Sequence, residues 1–125
     1  METSAGLVEW LKVRELPAGR TAENFREAVT AQVVKDFQWD AERVAQVSIS
    51  LVQLLEDEIN WGLDRDAQGL FASFYRLDLG ESKIREVMDW NERPQAARLL
   101  AQLSLERAAR KVWLRWTFGA LDSLS

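Results

Sequence analysis

After Arg93-Pro94 the chain runs to about Thr117 with no further proline and no glycine, a stretch of about 24 residues. Within it Ala96, Leu99, Leu100, Leu103, Ala108, Val112, Trp113 and Trp116 recur at helical spacing. Pro suits the first position of a helix, and Gly119 is placed to stop one. At 1.5 Å per residue such a helix is roughly 36 Å long. A rod of that length with an apolar side needs other elements to cover it, and its leucine face is the side expected to pack.

The preceding segments supply helices as partners. From about Ser4 to Glu15, Leu7, Val8, Leu11 and Glu15 fall at helical spacing, with Trp10 and Val13 beside them. Leu16-Pro17-Ala18-Gly19 interrupts, because proline disfavours helix at the residue before it. Thr21 then has the chemistry of an N-cap, and Phe25, Ala28, Val29, Val33 and Phe37 follow a period near 3.6. Asp40 is placed to cap a further helix carrying Val44, Val47, Leu51, Leu54, Leu55 and Ile59, with Gly62 expected to end it. Val47-Ser48-Ile49-Ser50-Leu51 alternates like a strand. The helical spacing persists for about four turns, beyond the usual strand length, and favours helix. Leu70, Phe71, Phe74 and Tyr75 cluster on a short helix over 67–77. Asp78 and Glu81 have the spacing of a capping box before Ile84, Val87 and Met88. The expectation is an all-α, single-domain bundle of five or six helices over residues 1–125, with a frayed tail over about 118–125.

At 125 residues one domain can bury about two-thirds of its unfolded surface, which supports a core without staples. The opening METSAGLVEWLKVRE has neither a basic n-region nor an apolar h-region, so no secretory signal is expected. Apolar runs fall far short of the roughly 20 residues that span a bilayer. No membrane partner is expected, and a cytoplasmic location is. The chain contains no Cys and no His. This excludes disulfides, thiol nucleophiles, Ser-His-Asp triads and His-ligated metals, and it removes the commonest general base. No catalytic residue, metal ligand or cofactor is assigned, and the chain is expected not to be an enzyme.

Three features of the chain could carry chemistry. Asp64-Arg65-Asp66-Ala67-Gln68-Gly69 copies the first half of a calcium loop, but position 12 is Tyr75 where a bidentate carboxylate is needed. A solvated turn between helices accounts for it better. Glu56 with Asp57, or Asp64 with Asp66, are formal acid/base pairs, and a third reading makes the chain a small carboxylate-based enzyme. Neighbouring acids are common in a chain with 20 of them, so this stays behind the others.

The sharper feature is a charge asymmetry. Residues 93–115 carry six basic side chains against Glu106 alone, a net +5. Residues 1–92 carry ten basic and 18 acidic side chains, a net −8. Arg107, Lys111 and Arg115, spaced four apart, form a basic stripe with Arg110 and two tryptophans nearby. Such interleaving can grip phosphates and stack on bases, so a nucleic-acid or anion-binding module is the alternative function. The stronger account is structural: basic residues suit the negative end of a helix and find partners on an acidic body. The chain also holds six Trp. Trp10, Trp39 and Trp90 fall near expected helix ends, where an indole is hard to bury in one small domain. They are the expected interface of a self-associating protein, a symmetric dimer above all. The leading expectation is a non-catalytic helical protein acting through protein–protein contacts.

Phe74-Tyr75-Arg76-Leu77-Asp78-Leu79-Gly80-Glu81, then Lys83-Ile84-Arg85, Leu105-Glu106-Arg107 and Lys111-Val112, resembles small uncharacterised bacterial helical proteins with a Tyr-Arg-aliphatic-Asp turn and a later Glu-Arg helix. The likeness covers about a third of the chain. It implies a bacterial, cytosolic origin and brings no activity, cofactor or site residue.

Overall fold

Thr21 opens the first described helix: its hydroxyl accepts the Asn24 N–H at 3.1 Å. The structure, a computed structural model, describes residues 15–17 and 19–119. The expected helix near Ser4 to Glu15, save Glu15 itself, together with Trp10, and the tail beyond residue 119 lie outside the described residues. Among the described residues six helices occur and no strand. They are α1 (Ala22–Phe37), α2 (Ala41–Ala45), α3 (Leu51–Arg65), α4 (Ala67–Arg76), α5 (Glu81–Trp90) and α6 (Arg93–Thr117). The all-α bundle with a long C-terminal helix is therefore what the chain forms.

Local chemistry explains where the boundaries depart from expectation. The helix expected to run from Asp40 to Gly62 is two helices. Asp40 does cap the first, accepting the Glu42 N–H at 2.9 Å, but α2 stops at Ala45. The alternating Val47-Ser48-Ile49-Ser50 stretch is the interruption, since β-branched and hydroxyl side chains both weaken helix. Ser50 then restarts the helix by accepting the Gln53 N–H at 3.2 Å. Gly62 does not end α3 but lies buried inside it. A Cβ there would sit 2.9 Å from the Leu70 Cβ, so glycine permits the close approach of α3 and α4.

Asp66 separates those two helices alone. Its N–H donates to the Gly62 carbonyl at 2.8 Å, and its carboxylate accepts the Gly69 N–H at 2.9 Å. The expected Asp78–Glu81 capping box is absent. Asp78 adopts φ +64° and closes α4 instead: its N–H reaches the Tyr75 carbonyl at 3.0 Å, and the Leu79 N–H reaches that of Phe74 at 2.9 Å. This is a paired C-terminal closure that needs a residue tolerant of the left-handed region. Gln38 closes α1 in the same way, at φ +58°.

The C-terminal helix is the axis of the molecule. It packs against α1, α3 and α5, while α4 bridges α1 and α3. Its buried residues are Ala96, Ala97, Leu100, Ala101, Ser104, Leu105, Ala108, Ala109 and Val112. That stripe is mostly alanine, not the leucine face expected: Leu99 is exposed and Leu103 half-buried. A helix flanked by two others is filled efficiently by small side chains, because interaxial distance shrinks with side-chain size. Phe25, Val29, Leu51, Leu55, Ile59 and Phe74 fill the space around it, all fully buried. Among the described residues no helix is long and apolar enough to cross a membrane.

Candidate functional site

The basic stripe of α6 faces a polar seam between helices. Lys111 Nζ donates to the Asp36 carboxylate at 3.1 Å and to the Arg76 carbonyl at 3.0 Å. Asp36 is buried on α1 and also accepts from Gln32 at 2.9 Å. Arg115 donates to the Gln32 side-chain oxygen at 2.8 Å. Arg76 of α4 closes the seam, donating to the Asp36 carbonyl at 2.6 Å and to the Ser73 hydroxyl at 3.0 Å. Arg107 reaches the Asp78 carbonyl at 3.3 Å and its carboxylate at 3.5 Å. Of the four residues expected to contact an anion, Arg107, Lys111 and Arg115 are thus held by partners within the chain. Arg110 alone is exposed and has no such partner among the described residues.

The rest of the charge asymmetry is also met internally. Arg93 donates to Asp64 at 2.8 Å and to the Asn60 carbonyl at 2.9 Å, and Arg98 pairs with Glu56 at 3.7 Å. Asp57 accepts from Gln53 at 2.9 Å. The stretch that copies half a calcium loop is two helices joined at Asp66, so its oxygens are spread along helical backbone. No group of three or more Asp or Glu suited to a metal occurs among the described residues.

The candidate acid/base pairs Glu56/Asp57 and Asp64/Asp66 are spent on these contacts. Glu58 differs. Only three carboxylates among the described residues are not exposed: Asp36, Glu56 and Glu58. Asp36 and Glu56 have cationic partners, whereas Glu58 has neither a hydrogen bond nor an ion pair.

Glu58 stands among aromatic side chains. Trp39, the residue after the left-handed closure of α1, is half-buried with its ring 5.3 Å from that of Phe37. Trp61, one turn beyond Glu58 on α3, is 57% exposed. Together with Phe37, Ser73 and Arg76 these three line a hollow of about 350 Å³. Trp39 and Glu58 also line an adjoining hollow of about 390 Å³ with Asp40, Arg43, Val44, Val47 and Leu54. The two hollows adjoin at Gln38, Trp39 and Glu58, which line both and make one cleft region, and each alone is near the lower end of the size range of small-ligand sites.

Of the expected interface residues, Trp90 is 83% exposed at the end of α5, and Trp39 belongs to the cleft. Trp10 is outside the described residues. Trp61 was not singled out from sequence, and Tyr75, grouped there with Leu70, Phe71 and Phe74 on one side of α4, is 83% exposed while Leu70 and Phe74 are buried. The available signal was the spacing of Leu54, Glu58 and Trp61, which shares one stripe of α3. Comparison with protein-family models, with curated proteins and with solved structures finds no match for this chain.

Proposed function

We propose that this chain is a non-catalytic, cytoplasmic helical protein that works through protein–protein contacts, self-association among them. The observation that carries this reading is the exposure of three large aromatic side chains, Trp61, Tyr75 and Trp90, on a domain this small. Aromatics are enriched at contact surfaces because they bury much area at little entropic cost.

Sedimentation velocity from low to high micromolar concentration tests the self-association. The expected result is a dimer of the 14.4 kDa chain that dissociates on dilution and weakens in Trp90→Ala. A single 14.4 kDa species at every concentration would remove it. Affinity purification from the native host tests the wider reading.

A further inference from the structure

We propose that the cleft lined by Trp39, Trp61 and Glu58 takes the cationic head of an arginine or lysine side chain borne by a protein partner. This rests on the protein-contact reading above and names the chemistry of the contact. Its first support is the unmet charge. A carboxylate drawn partly out of water is normally compensated, as Asp36 and Glu56 are here, and Glu58 is not. Its second support is what surrounds that charge. Indole faces attract cations through their quadrupole, and the attraction grows as water is excluded. Two tryptophans and a free carboxylate lining one hollow supply both terms at one place.

The neighbouring charges leave this polarity intact. Arg76 lies in the same hollow, but its guanidinium donates to the Asp36 carbonyl and the Ser73 hydroxyl. Asp66 adds a second carboxylate to the lining, and in the adjoining hollow Asp40 and Arg43 contribute one charge of each sign, so the lining as a whole stays negative. The adjoining hollow also explains why the cation arrives on a side chain. Val44, Val47 and Leu54 offer an apolar wall next to Glu58, suited to the aliphatic stem of Arg or Lys. A compact free cation would leave that wall uncovered.

The test is a titration of the full chain with short capped peptides, Gly-Arg-Gly and Gly-Lys-Gly. The readout is the indole N–H signals in ¹H–¹⁵N spectra, with Gly-citrulline-Gly and tetramethylammonium as comparators. The Arg or Lys peptide is expected to shift the Trp39 and Trp61 signals saturably and to leave Trp90 unmoved. Glu58→Gln and Trp61→Ala are each expected to weaken that binding about tenfold, the scale of one charge-assisted contact. Both sites are partly exposed and Glu58 has no partner, so the variants should keep wild-type circular dichroism.

Equal shifts with the citrulline peptide, or undiminished binding by Glu58→Gln, would overturn the proposal. Tighter binding of tetramethylammonium than of either peptide would assign the cleft to a free organic cation and overturn the protein-borne source. The indole signals report the cleft whether or not the chain dimerises. Loss of self-association by sedimentation and loss of this site are therefore separate results.

Discussion

Asp36 and Lys111 lie 75 residues apart in sequence and meet at 3.1 Å across the contact between α1 and α6. The Asp36 side chain is only 7% exposed, so the ammonium and the Gln32 amide are its replacement for water. Taking away one member of a buried pair costs more than the pair contributes, because the survivor stays desolvated. Lys111→Met, which keeps most of the aliphatic stem, is therefore expected to lower unfolding stability by about 3 kcal/mol in urea denaturation. Arg110→Ala on the same helix should change it by no more than about 0.5 kcal/mol. Similar losses from both would mean the seam contributes little. Gln38 makes the opposite case. It holds a left-handed backbone conformation that disfavours side chains, and it carries no side-chain bond that the fold depends on. Gln38→Gly should stabilise by about 1 kcal/mol, read as a higher urea midpoint at unchanged slope.

At the scale of elements, helix existence was legible and helix boundaries were only partly so. Phe25, Val29, Val33 and Phe37 announced α1 because each points into the core at a regular interval. The break between α2 and α3 was hidden by Val47 and Leu51, which continue the apolar spacing across residues that are not helical. Hydroxyl chemistry at Ser50 outweighed that periodicity. Asp78 misled for a related reason: an aspartate three residues before a glutamate suits an N-cap, yet the same side chain tolerates the left-handed closure that α4 required. Sequence exposed the basic side of the candidate chemistry and concealed the cleft, since Trp39 and Trp61 become neighbours only once α1 has closed and turned. The alanine stripe of α6 carries a prediction at this scale. Ala108 is fully buried on the axial helix, so Ala108→Leu should overpack the bundle and cost about 1–3 kcal/mol or more. Leu99→Ala, on the exposed side, should stay within about 1 kcal/mol, and thermal midpoints of the two variants decide whether alanine or leucine faces the core.

For the whole molecule, the opposing charges of the two segments work as internal cohesion. A helix of net positive charge runs through the centre of an acidic body, and Arg93, Arg98, Arg107 and Lys111 each take a carboxylate from α1, α3 or the turn after α4. The net formal charge that the chain presents at long range is −4. A polyanion meeting this surface encounters repulsion at long range, with Arg110 the one residue of the stripe without a partner among the described residues and Arg115 held by the neutral Gln32 amide. Phosphate binding depends on the number of cations free to displace counterions, and one unpartnered arginine with a second held by a neutral amide supplies little salt-dependent affinity. The chain is thus expected to show no measurable retention on single- or double-stranded nucleic acid at 50 mM salt. The informative variant is Arg110→Ala, because replacing Arg107, Lys111 and Arg115 together would dismantle the seam and lower the thermal midpoint. Binding at 50 mM salt that falls steeply by 200 mM and disappears in Arg110→Ala would reverse this expectation. It would mean that the stripe leaves its internal partners when a polyanion approaches.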